Sequence, residues 1–198
     1  MIDSEVLLQY GAIIKPVSPN EVIITEEQDA WHYFQLLNGS ARAININENG
    51  REYLQYLVYP GDAFGEIALL DNGKYAVSII ANEPSTILKL PREQFTKMVS
   101  ADPSLYLQLI TLLCERLRFK YFLSKEISNH NPESSIKNLI TYFKGSNKIC
   151  EKCSRLNLTR QQIADMLGMR VETVIRSVRN LHNSGFLEIR KGKVFCYD

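Results

Sequence analysis

The segment Thr159-Arg160-Gln161-Gln162-Ile163-Ala164-Asp165-Met166-Leu167-Gly168-Met169-Arg170-Val171-Glu172-Thr173-Val174-Ile175-Arg176 decides how the C-terminal part of this chain is read. Thr159 has a side-chain oxygen that can accept from the amides of a first helical turn, so a helix is expected to start there. Ile163 and Leu167 lie four apart and share one face. Ala164 is small where a second helix must cross closely, and Gly168 suits a turn that needs positive φ. Val174, Val178 and Leu181 then give the second helix a buried stripe. Two short helices joined by a glycine turn make a helix-turn-helix pattern. The outward face of the second helix carries Arg170, Val171, Glu172, Thr173, Arg176 and Arg179. Arginine can donate two bonds to guanine, glutamate can accept from cytosine N4, and a valine methyl can meet the thymine methyl. Val171, Glu172 and Arg176 are therefore the base-reading candidates. Arg160, Gln161, Thr173 and Arg179 are placed for phosphates, which set register without reading sequence.

Working outward, Phe186-Leu187-Glu188-Ile189-Arg190, the turn Lys191-Gly192 and Lys193-Val194-Phe195-Cys196-Tyr197 read as a terminal hairpin, a wing. Lys191 and Lys193 join the phosphate candidates. Upstream, Arg155 to Leu158 reads as a strand and Ser134 to Phe143 as an amphipathic helix. Charge supports a polyanionic partner. Residues 130–198 hold 12 Lys/Arg against 6 Asp/Glu, a net +6, whereas residues 1–129 hold 11 against 16, a net −5. Such asymmetry points to a nucleic-acid-binding lobe on an otherwise acidic protein.

Residues from about 12 to 91 read as short strands separated by turns, the pattern of a barrel or sandwich. Asn38-Gly39 is a hairpin signal, as is Asn49-Gly50, and Pro60-Gly61 is another turn. Tyr75 to Ala81 and Thr86 to Leu90 are the last strands expected. Beyond them, Asp102 caps and Pro103 opens a helix that runs to about Ser128. Leu105, Leu109, Leu112, Arg116, Phe119 and Leu123 form one row on it, taken as the dimer face. Tyr106, Ile110, Leu113, Leu117 and Tyr121 form a second. Two rows let a long helix bury one against its own barrel and one against a partner. Asn129-His130-Asn131-Pro132 marks a hinge.

These segments together resemble the family of the cyclic-AMP receptor and the fumarate–nitrate-reduction regulator (CRP/FNR), over nearly the whole chain. Phe64-Gly65-Glu66 after Pro60-Gly61-Asp62 looks like the family's phosphate-binding cassette, and Leu158 to Ala164 and Glu172 to Arg176 look like its DNA-binding signature. Val171-Glu172-Thr173 followed by Arg176 is more similar to the oxygen-regulator branch, which implies a palindrome with TTGAT-like half-sites. Ile175 departs from the small polar residue of that branch. The resemblance implies a homodimer on double-stranded DNA, RNA polymerase as a candidate further partner, and an effector pocket at Gly65 and Glu66, which Tyr75 could shape for a different ligand; a barrel that Phe64-Gly65-Glu66 merely closes, binding nothing, is the alternative. Cyclic AMP is not expected to be its ligand. The family's arginine stands nine or ten residues after the glutamate, where this chain has Tyr75 and Ala76, and an unpaired buried phosphate is very costly. The effector is therefore unknown. The iron–sulfur cluster of the oxygen-regulator branch is not expected either, because no cysteine precedes Cys114.

The expected fold is thus α+β. A cyclic-nucleotide-binding-like β-barrel (jelly roll) spans residues 1–101, a dimerisation helix 102–129 and a winged helix-turn-helix 130–198. Cys114 is expected in the core. Cys150 and Cys153 have the spacing of a metal or redox pair, with Cys196 as a third candidate ligand, but four ligands are the rule for zinc and no metal is expected. A metabolite- or redox-sensing protein using Cys150 and Cys153, without direct control of DNA, is the alternative. No nucleophile, base and oxyanion set is apparent, so an enzyme is not expected. No run approaches the roughly 18 apolar residues of a membrane span, and the acidic start Met1-Ile2-Asp3-Ser4-Glu5 is no secretory signal. The expectation is a cytoplasmic protein.

Overall fold

The computed structural model describes residues 2–145 and 154–196. Cys150 and Cys153 lie outside them, so the expectation placed on that pair falls there too. The chain divides into two compact units, Met1–Arg118 and Phe119–Asp198.

The first unit opens with helix α1 (Ser4–Gln9), capped by the Asp3 carboxylate on the Glu5 amide at 2.7 Å. Eight strands follow: β1 (Ile13–Val17), β2 (Val22–Ile24), β3 (His32–Asn38), β4 (Ala41–Ile46), β5 (Glu52–Val58), β6 (Ala63–Phe64), β7 (Ser78–Ala81) and β8 (Ser85–Pro91). The short helix α2 (Glu66–Leu70) interrupts them after β6, and α3 (Arg92–Ala101) follows β8. They form two four-stranded antiparallel sheets with orders β1-β8-β3-β6 and β2-β7-β4-β5. Eight short strands in two such sheets are the jelly-roll solution to covering sheet edges. Between the sheets sit Phe34, Leu36, Ala43, Phe64, Ile79 and Ile87, all buried, while Tyr33 on the other face of β3 stacks on Phe95 of α3 at 5.0 Å.

Two local expectations change. Asn38-Gly39 does not close a hairpin: β3 and β4 lie in different sheets, so the turn carries the chain across the sandwich. Glycine is required there by φ of 87° and by crowding, since a Cβ would stand 2.3 Å from Ser85 Oγ. Asn49-Gly50 does close a hairpin, with Ile46 opposite Glu52. Tyr75 precedes its strand, which begins at Ser78.

Helix α4 (Ser104–Ile127) starts where the Asp102 carboxylate accepts from the Ser104 amide at 3.0 Å. It contributes to both units. Leu105, Leu109 and Leu112 close the core of the jelly roll. Phe119 and Leu123 are buried in the second unit, where the Phe119 ring packs on Tyr142 at 5.1 Å and Phe122 stacks on Tyr142 at 4.7 Å. The row Leu105, Leu109, Leu112, Arg116, Phe119 and Leu123 is therefore internal, correcting its assignment as the dimer face. The second row carries the exposed apolar surface: Tyr106, Ile110, Leu117 and Tyr121, with Leu107 beside them. Cys114 is likewise exposed rather than in the core. Because the second unit claims the helix from Phe119 onward, the two units part inside α4 rather than at Asn129–Pro132.

The second unit continues with α5 (Pro132–Gly145), α6 (Arg160–Leu167), α7 (Val171–Asn183), β9 (Glu188–Arg190) and β10 (Lys193–Phe195). Glu126, 1% exposed, accepts from Asn138 Nδ2 at 3.1 Å, and Ser135 Oγ donates to the Glu126 carbonyl at 3.0 Å. These bonds fasten the end of α4 to α5.

Candidate functional site

In the second unit, Thr159 begins α6 with a reciprocal cap. Its hydroxyl oxygen accepts from the Gln162 amide at 3.0 Å, and the Gln162 side chain accepts from the Thr159 amide at 2.9 Å. Two otherwise orphaned amides are thereby satisfied. Gly168 ends the helix at φ of 66°. Ile163, Ala164 and Leu167 of α6 meet Val174, Val178 and Leu181 of α7, all buried. Thr159→Ala is expected to destabilise this unit by about 1 kcal/mol, read by chemical denaturation.

Burying that stripe turns the opposite face of α7 outward. Glu172, Ile175, Arg176 and Arg179 are exposed, with Val171 and Thr173 half-buried. The guanidinium groups of Arg170, Arg176 and Arg179 have no hydrogen bond or ion pair among the described residues. By contrast, Arg155 donates to Asn157 and Arg190 is bound to Glu188 at 2.5 Å. The Arg190 guanidinium holds the Glu188 carboxyl below its ordinary range.

The wing stands beside these helices. Lys191 and Gly192, both at positive φ, make its two-residue turn, the geometry that follows strand twist. Both lysines, Lys191 and Lys193, are exposed. Arg160 Nη2 donates to the Gly192 carbonyl at 3.5 Å, linking α6 to the wing turn, and burial pulls its guanidinium pKa below the usual value. Gln161 is exposed and donates to Asp165 at 2.8 Å. His182 Nδ1 lies 3.2 Å from the Leu187 carbonyl and tethers the end of α7 to the wing. Buried Cys196 has its thiol pKa pushed up by burial, the opposite of what a reactive thiolate needs. No cluster of metal-ligating side chains occurs among the described residues.

The second site lies inside the jelly roll. Gly65 takes φ of 76° to pass β6 into α2, and a Cβ there would stand 2.8 Å from Ile24 Cδ1 and 3.0 Å from Tyr75 Cε1. Gly65→Ala is accordingly expected to cost more than about 1 kcal/mol, measured by thermal unfolding. Glu66 follows, 1% exposed. Its Oε1 receives Arg116 Nη1 at 2.5 Å, Arg116 Nη2 donates to the Ala63 carbonyl at 2.6 Å, and the guanidinium lies 4.2 Å above the Tyr56 ring. Glu66 Oε2 is buried without a hydrogen-bond partner. Burial pushes the Tyr56 hydroxyl up to about 12, so the ring stays neutral beneath the cation. Burial also raises Tyr75, whose hydroxyl donates to the His32 carbonyl at 3.4 Å. Tyr75 packs under Gly65, with its hydroxyl directed at the His32 carbonyl. Arg116 is the member of this cluster that reading the sequence assigned elsewhere; its distance of 50 positions from Glu66 leaves no local signal of the pairing.

Together these parts define a winged helix-turn-helix DNA-binding protein with a sensor-type jelly roll attached. The chain belongs to the CRP/FNR family of transcription regulators: a cyclic nucleotide-binding domain model matches residues 14–102 and a Crp-like helix-turn-helix domain model matches residues 139–198. Among relatives, the transcriptional activator protein anr of Pseudomonas aeruginosa is 23% identical over 188 residues, covering 93% of this chain and 76% of that protein. The cAMP-activated global transcriptional regulator CRP of Pasteurella multocida is 24% identical, covering 98% and 93%. The solved structure of FixK2 from Bradyrhizobium japonicum superposes with a TM-score of 0.79 at 20% identity, over 94% and 93% of the two chains. No helix among the described residues is long and apolar enough to cross a membrane.

Proposed function

We propose that this chain regulates transcription as a homodimer bound to a two-fold DNA site, with α7 in the major groove, and that it does so without a cyclic nucleotide. The observation that carries the first part is the α7 surface. It holds Glu172 and three unpaired arginines, and the helix-turn-helix and wing from 154 to 196 carry eight Lys/Arg against three Asp/Glu. Val171, Glu172 and Arg176 read bases. Arg179, Lys191 and Lys193 meet phosphates, with Gln161 and Thr173 adding neutral hydrogen bonds. Arg160 reaches phosphate from beside the wing turn. Arg160→Ala is expected to weaken all duplexes alike and lower the salt slope by about 1, read as affinity against salt concentration.

The exposed row of α4, Tyr106, Ile110, Leu117 and Tyr121, supports pairing with a second copy. Two reading helices then stand about 34 Å apart, one turn of the duplex. Leu117→Glu is expected to yield a monomer in sedimentation equilibrium while leaving each unit folded. RNA polymerase is the partner such a regulator addresses once bound. The second part rests on Tyr75 and Ala76, which stand where the resemblance requires the arginine that would neutralise a buried phosphate.

Selection of bound sequences from random duplexes, with and without cyclic AMP, tests both parts. The expected product is a palindrome, recovered equally in both conditions. Absence of any selected sequence defeats the DNA reading; selection only with the nucleotide defeats the claim of independence from it.

A further inference from the structure

We propose that Ile175 is a base-reading residue, and that its ligand is the 5-methyl group of a thymine. The proposal rests on α7 entering the major groove and adds a contact that the polar residues of that helix cannot make. Ile175 is 42% exposed, the only exposed large apolar side chain in the described residues from α6 to the end of the wing. Its helix has already satisfied its packing with Val174, Ser177, Val178 and Leu181, all buried. A β-branched residue in an exposed helical position loses rotamer freedom and gains little from its own chain. Its neighbours are not those of a random surface leucine. Ile175 stands one turn beyond Val171, beside the parallel row of Glu172, Arg176 and Arg179.

Spacing explains the chemistry. Residues four apart on a helix fall on one line, so Val171 and Ile175 make an apolar edge and Glu172 and Arg176 a polar one. In the major groove the thymine methyl is the largest apolar group on any base pair, set among donors and acceptors. An apolar edge that meets a base therefore gains most at thymine and elsewhere risks leaving a polar group unpaired. A partner protein would offer a larger apolar area than one side chain ringed by unpaired arginines can match. Ile175 thus adds a preference for thymine at one position of each half-site.

Uracil lacks only the 5-methyl group, so it tests this contact directly. Each thymine of the selected duplex is replaced by uracil in turn, and affinities are measured for the wild type, Ile175→Ser and Ile175→Val. In the wild type, one uracil position per half-site besides that met by Val171 is expected to lower affinity roughly four-fold, the value of one buried methyl. Ile175→Ser should bind the thymine and uracil duplexes equally at that position, and Ile175→Val should retain most of the difference. Uracil penalties at Val171's position should persist in all three proteins. Circular dichroism and melting of the variants should match the wild type, because the side chain is outside the core. If Ile175→Ser keeps every uracil penalty of the wild type, or the wild type shows none beyond Val171's position, the proposal is overturned while the DNA reading stands. Failure to select any duplex overturns both.

Discussion

Replacing Arg116 with alanine is expected to lower the unfolding free energy of the jelly roll by about 3–5 kcal/mol, the cost of leaving a buried carboxylate without its cation. Glu66 is 1% exposed and the Arg116 side chain 13% exposed, so the carboxylate is held away from bulk water. Glu66 already has one oxygen unpaired, and the variant would strand both. Denaturation followed by tyrosine absorbance in the first unit reads the effect. Replacing both members, Glu66→Leu with Arg116→Met, should restore most of the stability, because a well-packed apolar pair of similar volume is often as stable as a buried ion pair. This cycle separates the ion pair from the mere loss of side-chain volume. If Arg116→Ala unfolds within about 1 kcal/mol of the wild type, the pair is not the internal anchor described above.

Arg176→Ala is the largest effect expected on recognition. Loss of a bidentate guanine contact costs about 1–3 kcal/mol in each half-site, which is roughly 5–150-fold at 1.4 kcal/mol per tenfold. One base position should become indifferent in repeated selection, while the others keep their preference. Arg160→Ala provides the contrast, since a phosphate contact weakens good and poor sites by the same factor. Equal, sequence-independent losses in the two variants would mean that α7 only positions the protein and that reading lies elsewhere. The state of Arg176 makes the prediction clean, because its removal breaks no hydrogen bond or ion pair among the described residues.

The two sites differ in how they are written into the chain. The helix-turn-helix is a local object. Thr159 and Gln162 cap one another three residues apart, Gly168 takes the positive φ of the turn, and Lys191-Gly192 forms the wing turn with its own two residues. Contacts at such short separations depend on residue type and spacing, and so the outward face of α7 followed once its buried stripe was identified. Ile175 was also visible there, but a departure from a family pattern says only that something differs; its exposure beside unpaired arginines indicates what it could touch. Cys114 shows the opposite case. A cysteine on an apolar helix suggests a core position, yet it falls on the outward side.

By itself, then, the order of residues determined the jelly-roll, helix and winged-helix sequence of elements, the outward face of α7, and the absence of the expected phosphate-binding arginine near Tyr75. Only the tertiary structure decided that Asn38-Gly39 crosses between sheets, that the leucine row of α4 is internal, and that Arg116 reaches Glu66. The physical reason is that periodicity fixes which residues share a face but not what covers it. Partners 50 positions apart are chosen by how whole sheets and helices pack, where burial of Leu105, Leu109 and Leu112 orients α4 and carries Arg116 to the buried Glu66 carboxylate.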